Sequence, residues 1–212
     1  MQLNKRFISF EGIDFSGKST QIQLLKDKLI AKNEEVIILR EPGGTQISEL
    51  IREILLDKNN LSMTSTTEML LYSAARNQVL NEKIFPALKA GTFVIADRYV
   101  DSTTAYQGFG RQIALEMIQQ INHVATNDFL PSLTFFLDLT LEKMIKRRKK
   151  MNNKVDRLES AGNEFFNRVR EGYLKIADNH NNRFKILNAE KNIADLSEEI
   201  WELVQTKMDF TS

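Results

Sequence analysis

Gly12-Ile13-Asp14-Phe15-Ser16-Gly17-Lys18-Ser19-Thr20 contains the spacing G-x-x-x-x-G-K-[ST], which wraps backbone amides around a phosphate chain. Glycines at both ends let a strand turn sharply into a helix while successive N–H groups face inward. Lys18 is then placed to reach the β- and γ-phosphates of a nucleotide, and the Ser19 hydroxyl to ligate Mg²⁺. From Thr20 to Leu29 the spacing puts Ile22, Leu25 and Leu29 on one helical face, so the helix N-terminus that completes an anion site follows directly. Nucleotide phosphate binding is the expected chemistry.

Other residues gain meaning from what precedes them. Asp97 ends the apolar run Phe93-Val94-Ile95-Ala96, where an acid can hold Mg²⁺ directly or through water; the plainer reading is a cap or surface turn. Arg98 beside it offers a planar fork to a second phosphate, or an ordinary ion pair. Arg40-Glu41-Pro42-Gly43-Gly44-Thr45 reads as a tight turn, which explains its glycines but not its two charges. Tyr72 and Arg76 lie four apart on a helical pattern. They suit stacking and edge-reading of a base, although pattern alone favours a core tyrosine and a surface arginine. Lys146-Arg147-Arg148-Lys149-Lys150 runs into a polar segment. It fits a solvated face, or a lid whose arginines close over a triphosphate. Asn153-Lys154-Val155-Asp156 spells the guanine signature N-K-x-D but follows charged residues rather than a buried strand, and reads as coincidence. His123 and His180 read as structural or surface residues.

These residues need a frame. Short apolar runs at 7–10, 36–39, 93–96, 133–137 and 184–187 alternate with helical patterns at about 17–32, 46–57, 66–90, 112–125, 140–150, 161–178 and 192–208. Runs without polar alternation, separated by helices, predict a five-stranded parallel sheet covered on both faces: an α/β P-loop fold. Ligands in such sheets bind at the carboxyl ends of the strands. The charged and glycine-rich residues follow the strands there. The 212 residues suit a single domain, with a lid at about 147–160. With 29 basic and 28 acidic residues the net charge is +1, which offers no global attraction to nucleic acid or membrane. There is no cysteine, so disulfides, thiolate metal sites and cysteine nucleophiles are excluded. A strand directly after the first few residues, without a signal-like apolar core, leads us to expect a cytoplasmic location.

In order along the chain, Glu11-Gly12-Ile13-Asp14, Gly17-Lys18-Ser19-Thr20, Arg40-Glu41-Pro42-Gly43-Gly44-Thr45, Asp97-Arg98-Tyr99, Ala105-Tyr106-Gln107-Gly108 and Asp156-Arg157-Leu158-Glu159 together resemble the thymidylate kinase family. The resemblance spans nearly the whole chain. It implies ATP as donor with Mg²⁺, dTMP as acceptor, and a homodimer. It matches Tyr72 to the ring that stacks on thymine, and Arg76, Thr103 and Gln107 to the base pocket. It also matches Asp14 to the sugar 3′-hydroxyl, Tyr106 to exclusion of a 2′-hydroxyl, and Arg40 and Arg98, with Glu41 and Pro42 beside them, to the acceptor phosphate. Asn188-Ala189-Glu190 resembles the turn against adenine. The loop carries no arginine, so this chain resembles members with a catalytic arginine in the lid, with Arg157 first, Arg147 next and Arg148 third. Phe15 stands where glycine is usual, and is expected either to keep an ordinary backbone conformation or to pack its ring over the acceptor site. The rivals are a kinase for another monophosphate or for a deoxynucleoside, and a P-loop switch.

Overall fold

The computed structural model describes residues 3–151, 157–158 and 161–208. Five parallel strands form one sheet: β1 (Phe7–Glu11), β2 (Val36–Arg40), β3 (Phe93–Asp97), β4 (Leu133–Asp138) and β5 (Phe184–Asn188), in the order β2-β3-β1-β4-β5. β1 lies at the centre and is buried throughout, because both of its faces are covered. Its register against β3 pairs Phe10 with Asp97, and against β4 pairs Glu11 with Phe136. That register sets the phosphate loop beside the acid at the end of β3.

Each strand runs one residue beyond its apolar run, to Glu11, Arg40, Asp97, Asp138 and Asn188. The five residues form a polar rim along the carboxyl edge, with Glu11 buried at its centre and the other four partly or fully exposed. Helix α1 (Lys18–Ile30) buries Ile22, Leu25 and Leu29 as its periodicity predicts. α2 (Gln46–Leu56) is capped by the Thr45 hydroxyl, which accepts from Ser48 N at 3.2 Å. The apolar core lies on both faces of the sheet: α1 packs with α9 (Ile193–Met208), where Trp201 and Val204 are buried, and α8 (Asn163–Asn179) covers the opposite face, with Tyr173 stacked on Phe136. A second cluster gathers Phe7, Val79, Leu80 and Tyr99.

The helix expected over 66–90 is three pieces: α3 (Ser65–Val79), a π-helical turn (Leu80–Ile84) and α4 (Phe85–Lys89). Pro86 lacks an N–H and crowds the preceding turn, so the ladder widens ahead of it. The helical segment after β3, α5 (Val100–Thr103) continuing as a π-helical stretch over Thr104–Gly110, has no counterpart in the periodicity. Its residues are nearly all buried, so no amphipathic alternation marks it. The remaining α-helices among the described residues are α6 (Leu115–Thr126) and α7 (Leu141–Met151). α7 carries the basic run in regular helix. Among the described residues no helix is long and apolar enough to cross a membrane.

Candidate active site

The phosphate loop turns as its glycines require. Gly12 has φ 137°, and a Cβ there would lie 2.7 Å from the Leu137 carbonyl oxygen, so only glycine fits between β1 and β4. Phe15 takes φ 62°, in the left-handed region, which corrects the expectation of an ordinary backbone at this position. Packing of the ring against the core beside the loop offsets part of the strain. Lys18 Nζ donates to the Gly12 and Ile13 carbonyls, both at 3.1 Å. Burial and nearby Arg98 pull the Lys18 ammonium down, against Asp97, Asp14 and Glu11.

Arg98 follows β3 with φ 74°, a strained position for an arginine. Its N–H donates to the Phe10 carbonyl at 2.9 Å, and the next amide, Tyr99 N, donates to Glu11 Oε1 at 2.7 Å. The strain aims the guanidinium back at the loop, where it donates to Gly12 O and Asp14 Oδ1, each at 2.8 Å, and lies 5.1 Å from the Tyr106 ring centre. Burial pushes the Asp14 carboxyl up, but Arg98 and Lys18 hold it below the usual carboxylate range. Glu11 also accepts from the Ser102 and Tyr173 hydroxyls at 2.6 and 2.7 Å. Burial, with Asp101 close by, pushes its carboxyl from an ordinary 4.5 to about 7.

Two cavities meet here. One is lined by Phe15, Gly17, Lys18, Ser19, Thr20, Arg40, Asp97 and Arg98, and the other by Pro42, Tyr72, Arg76, Thr103, Tyr106, Gln107 and Leu158. Asp14, Glu41, Arg52 and Arg98 line both. In the second, Arg76 is buried. It donates to Glu41 Oε2 (2.7 Å), Thr103 Oγ1 (2.7 Å) and the Tyr99 carbonyl (3.0 Å). The side chains of Arg76 and Glu41 are 2 % and 4 % exposed. Tyr72, by contrast, is only half-buried. The periodicity-based assignment of a core tyrosine and a surface arginine is therefore reversed: the arginine is inside because a carboxylate after β2 and a carbonyl and a hydroxyl at the two ends of α5 receive it.

A third cavity, lined by Ser16, Gly17, Thr20, Gln21, Arg147 and Ala189, lies on the other side of the loop. Arg147 spans it, donating to the Phe15 carbonyl at 3.0 Å and the Ala189 carbonyl at 2.7 Å. Asn188 Oδ1 accepts from Glu190 N at 2.8 Å and closes the turn there. Arg40, at the rim, donates to both oxygens of Glu49, at 2.8 and 2.9 Å.

Arg157 is not brought to the loop. It is buried, donating from Nε to the Leu55 carbonyl at 2.7 Å, with Nη2 2.7 Å from Glu68 Oε2. Its motif neighbours Asp156 and Glu159, the N-K-x-D stretch and much of the expected lid lie outside the described residues. His123 pairs with Asp128 on the surface, away from all three cavities. Sequence reasoning passed over Glu11 and Glu68. Glu68 had a signal, because 68, 72 and 76 share one face of α3 at spacings of four. Glu11 had none beyond its place before the loop.

A parallel sheet with a glycine-framed anion loop after its central strand, a lysine in that loop and an acid on the neighbouring strand defines a P-loop nucleotide-binding protein. The thymidylate kinase family profile matches residues 10–200. The thymidylate kinase of Caldanaerobacter subterraneus is 45% identical over 188 residues, 89% of each chain. That of Chlorobaculum tepidum is 46% identical over 190 residues, 86% of this chain and 88% of its own. The crystal structure of thymidylate kinase from Ehrlichia chaffeensis superposes with a TM-score of 0.76 at 34% identity, covering 94% of this chain and 97% of its own. The chain belongs to the thymidylate kinase family.

Proposed function

We propose that this protein transfers the γ-phosphoryl group of ATP to the phosphate of dTMP, giving dTDP and ADP. The observation that carries the reading is the junction of two cavities at Arg98: one walled by the phosphate loop, the other by an aromatic ring and buried amide and guanidinium groups. A transferring group would pass at that junction.

The acceptor phosphate is already an anionic nucleophile, so catalysis is positioning and charge neutralisation rather than proton abstraction. Lys18 exchanges its two loop carbonyls for donor phosphate oxygens. Arg98, with Arg40, holds the acceptor phosphate against repulsion from the donor. Tyr72 stacks on the base. Arg76, Thr103 and Gln107 line its edge, Asp14 meets the sugar, and Tyr106 crowds the 2′ position. Arg147, with Asn188, Ala189 and Glu190, borders the adenine. The Ser19 hydroxyl and the Asp97 carboxylate fit Mg²⁺, which takes one or two protein oxygens and fills its shell with phosphate and water. When bound, it neutralises charge on the donor phosphates. Arg157 closes over the transferring group only if the segment of about 147–160 moves as a lid, since its resting partner is Glu68. The kinase is read as one domain, cytoplasmic and homodimeric. Ile47, Leu50 and Ile54, exposed in one stripe along α2, support the dimer.

The test is ADP release with Mg·ATP and dTMP, dUMP, UMP, CMP, AMP or GMP offered singly. Strong preference for dTMP is expected. Comparable turnover of another monophosphate would reassign the acceptor, and slow hydrolysis indifferent to any acceptor would overturn the kinase reading.

A further inference from the structure

Glu68 lies one side chain behind the acceptor cavity, on α3, and is buried. Its Oε1 accepts from Gln107 Nε2 at 2.9 Å and from Arg111 Nε at 3.1 Å, and its Oε2 from Arg111 Nη2 at 3.0 Å. The Arg157 guanidinium sits at 2.7 Å on the same oxygen. Burial pushes the Glu68 carboxyl up, but the hydrogen bonds from Arg111, Gln107 and Arg157 outweigh it and hold the group below its ordinary range. Glu68 is therefore a carboxylate, and a carboxylate only accepts.

That decides which end of the Gln107 amide faces it. The NH₂ end must turn to Glu68, which leaves the carbonyl oxygen for the cavity that Gln107 lines. Arg76 lines the same cavity with three of the five N–H groups of its guanidinium already given to protein acceptors. The cavity thus presents an acceptor beside a donor. A pyrimidine imide, with one N–H flanked by carbonyls, matches that order. Cytosine reverses it, with a bare ring nitrogen beside an amino group.

We propose that Glu68 is a positioning residue for acceptor selectivity: by fixing the Gln107 amide with its carbonyl toward the cavity, it makes the site read a ring N–H and reject cytosine. The inference rests on the dTMP kinase reading and adds a residue outside direct contact with substrate.

The experiment compares kcat/KM for dTMP and dCMP in the wild type, Glu68→Gln, Gln107→Ala and the double variant. A glutamine at 68 can donate as well as accept, so it frees the Gln107 amide to turn over. Expected is a roughly tenfold fall in the dTMP:dCMP ratio for Glu68→Gln, about the worth of one neutral hydrogen bond, with KM for ATP unchanged. A merely structural loss would lower both substrates alike and leave the ratio. In the Gln107→Ala background the Glu68 substitution should no longer move the ratio, because the residue it acts through is gone. An unchanged ratio in a folded Glu68→Gln protein, or an equal fall in both backgrounds, overturns the proposal. If Glu68→Gln does not fold, Gln107→Ala alone decides: a lowered ratio supports the oriented carbonyl, and an unchanged one removes it. Absence of dTMP-dependent ADP release in the wild type would instead defeat the kinase reading itself.

Discussion

The donor and acceptor sides of the Lys18–Arg98 junction are built by different means. On the donor side, the cavity is walled largely by residues of one loop, and Lys18 rests on two carbonyls of that same loop. On the acceptor side, side chains from the turn after β2, from α3, from α5 and from the π-helical stretch converge, and the buried arginine is already matched by a carboxylate. A site made of backbone needs local sequence to set its angles. A site made of buried side chains needs partners to be tolerable at all, because a desolvated guanidinium without an acceptor is costly. In the proposed function the first would take any polyphosphate, and the second would carry selectivity in fixed hydrogen-bond directions.

This contrast can be broken at four points. Lys18→Ala should lower kcat by roughly a thousandfold, since a charge aimed at the transferring group is lost with no local substitute; near-wild-type turnover in the ADP-release assay would remove Lys18 from the chemistry. Glu41→Ala, on the acceptor side, should cost about 3 kcal/mol in chemical denaturation by leaving Arg76 buried without its carboxylate. Nucleotide binding by the folded fraction should be retained. A loss under 1 kcal/mol would mean that Thr103 and the Tyr99 carbonyl suffice for Arg76. Arg40→Ala should raise KM for dTMP by only about five- to tenfold, because Arg40 is 48% exposed and already shared with Glu49. A hundredfold rise would put Arg40 on a par with Arg98.

The fourth point concerns the support beneath both sides. Glu11 has its native pKa raised to about 7 from 4.5, so the folded protein holds a proton in that window that the unfolded chain releases. Its contribution to stability is complete below about 4.5 and is lost as pH rises to about 7 and beyond. Glu11→Gln should flatten that part of the stability profile. Melting temperatures recorded from pH 5 to 8 give the comparison, and identical slopes in both proteins would show that Glu11 is not the titrating group.

Local spacing was enough for elements whose signal is repeated. The apolar runs located all five strands, and the glycine loop located the anion site. Where burial is complete the period disappears, as in Val100–Gly110, and Pro86 divided a helix that reads as continuous. Arg76 shows the same limit in one residue. Helical spacing placed it beside Tyr72, but its inward position depends on Glu41, thirty-five residues away in the chain. For Thr103 and Gln107, only the resemblance to a known family pointed to the cavity they line.

By itself, then, the chain determined a parallel α/β sheet with a phosphate loop at its carboxyl edge, because strand, turn and helix there are contiguous and their preferences local. Tertiary structure alone decided that Arg98 is turned back onto the loop, that Glu68 orients Gln107, and that Arg157 rests on Glu68 and Leu55 rather than over the phosphates. These are long-range pairings of buried charge, and their geometry exists only after the sheet and its helices bring distant segments within hydrogen-bond reach.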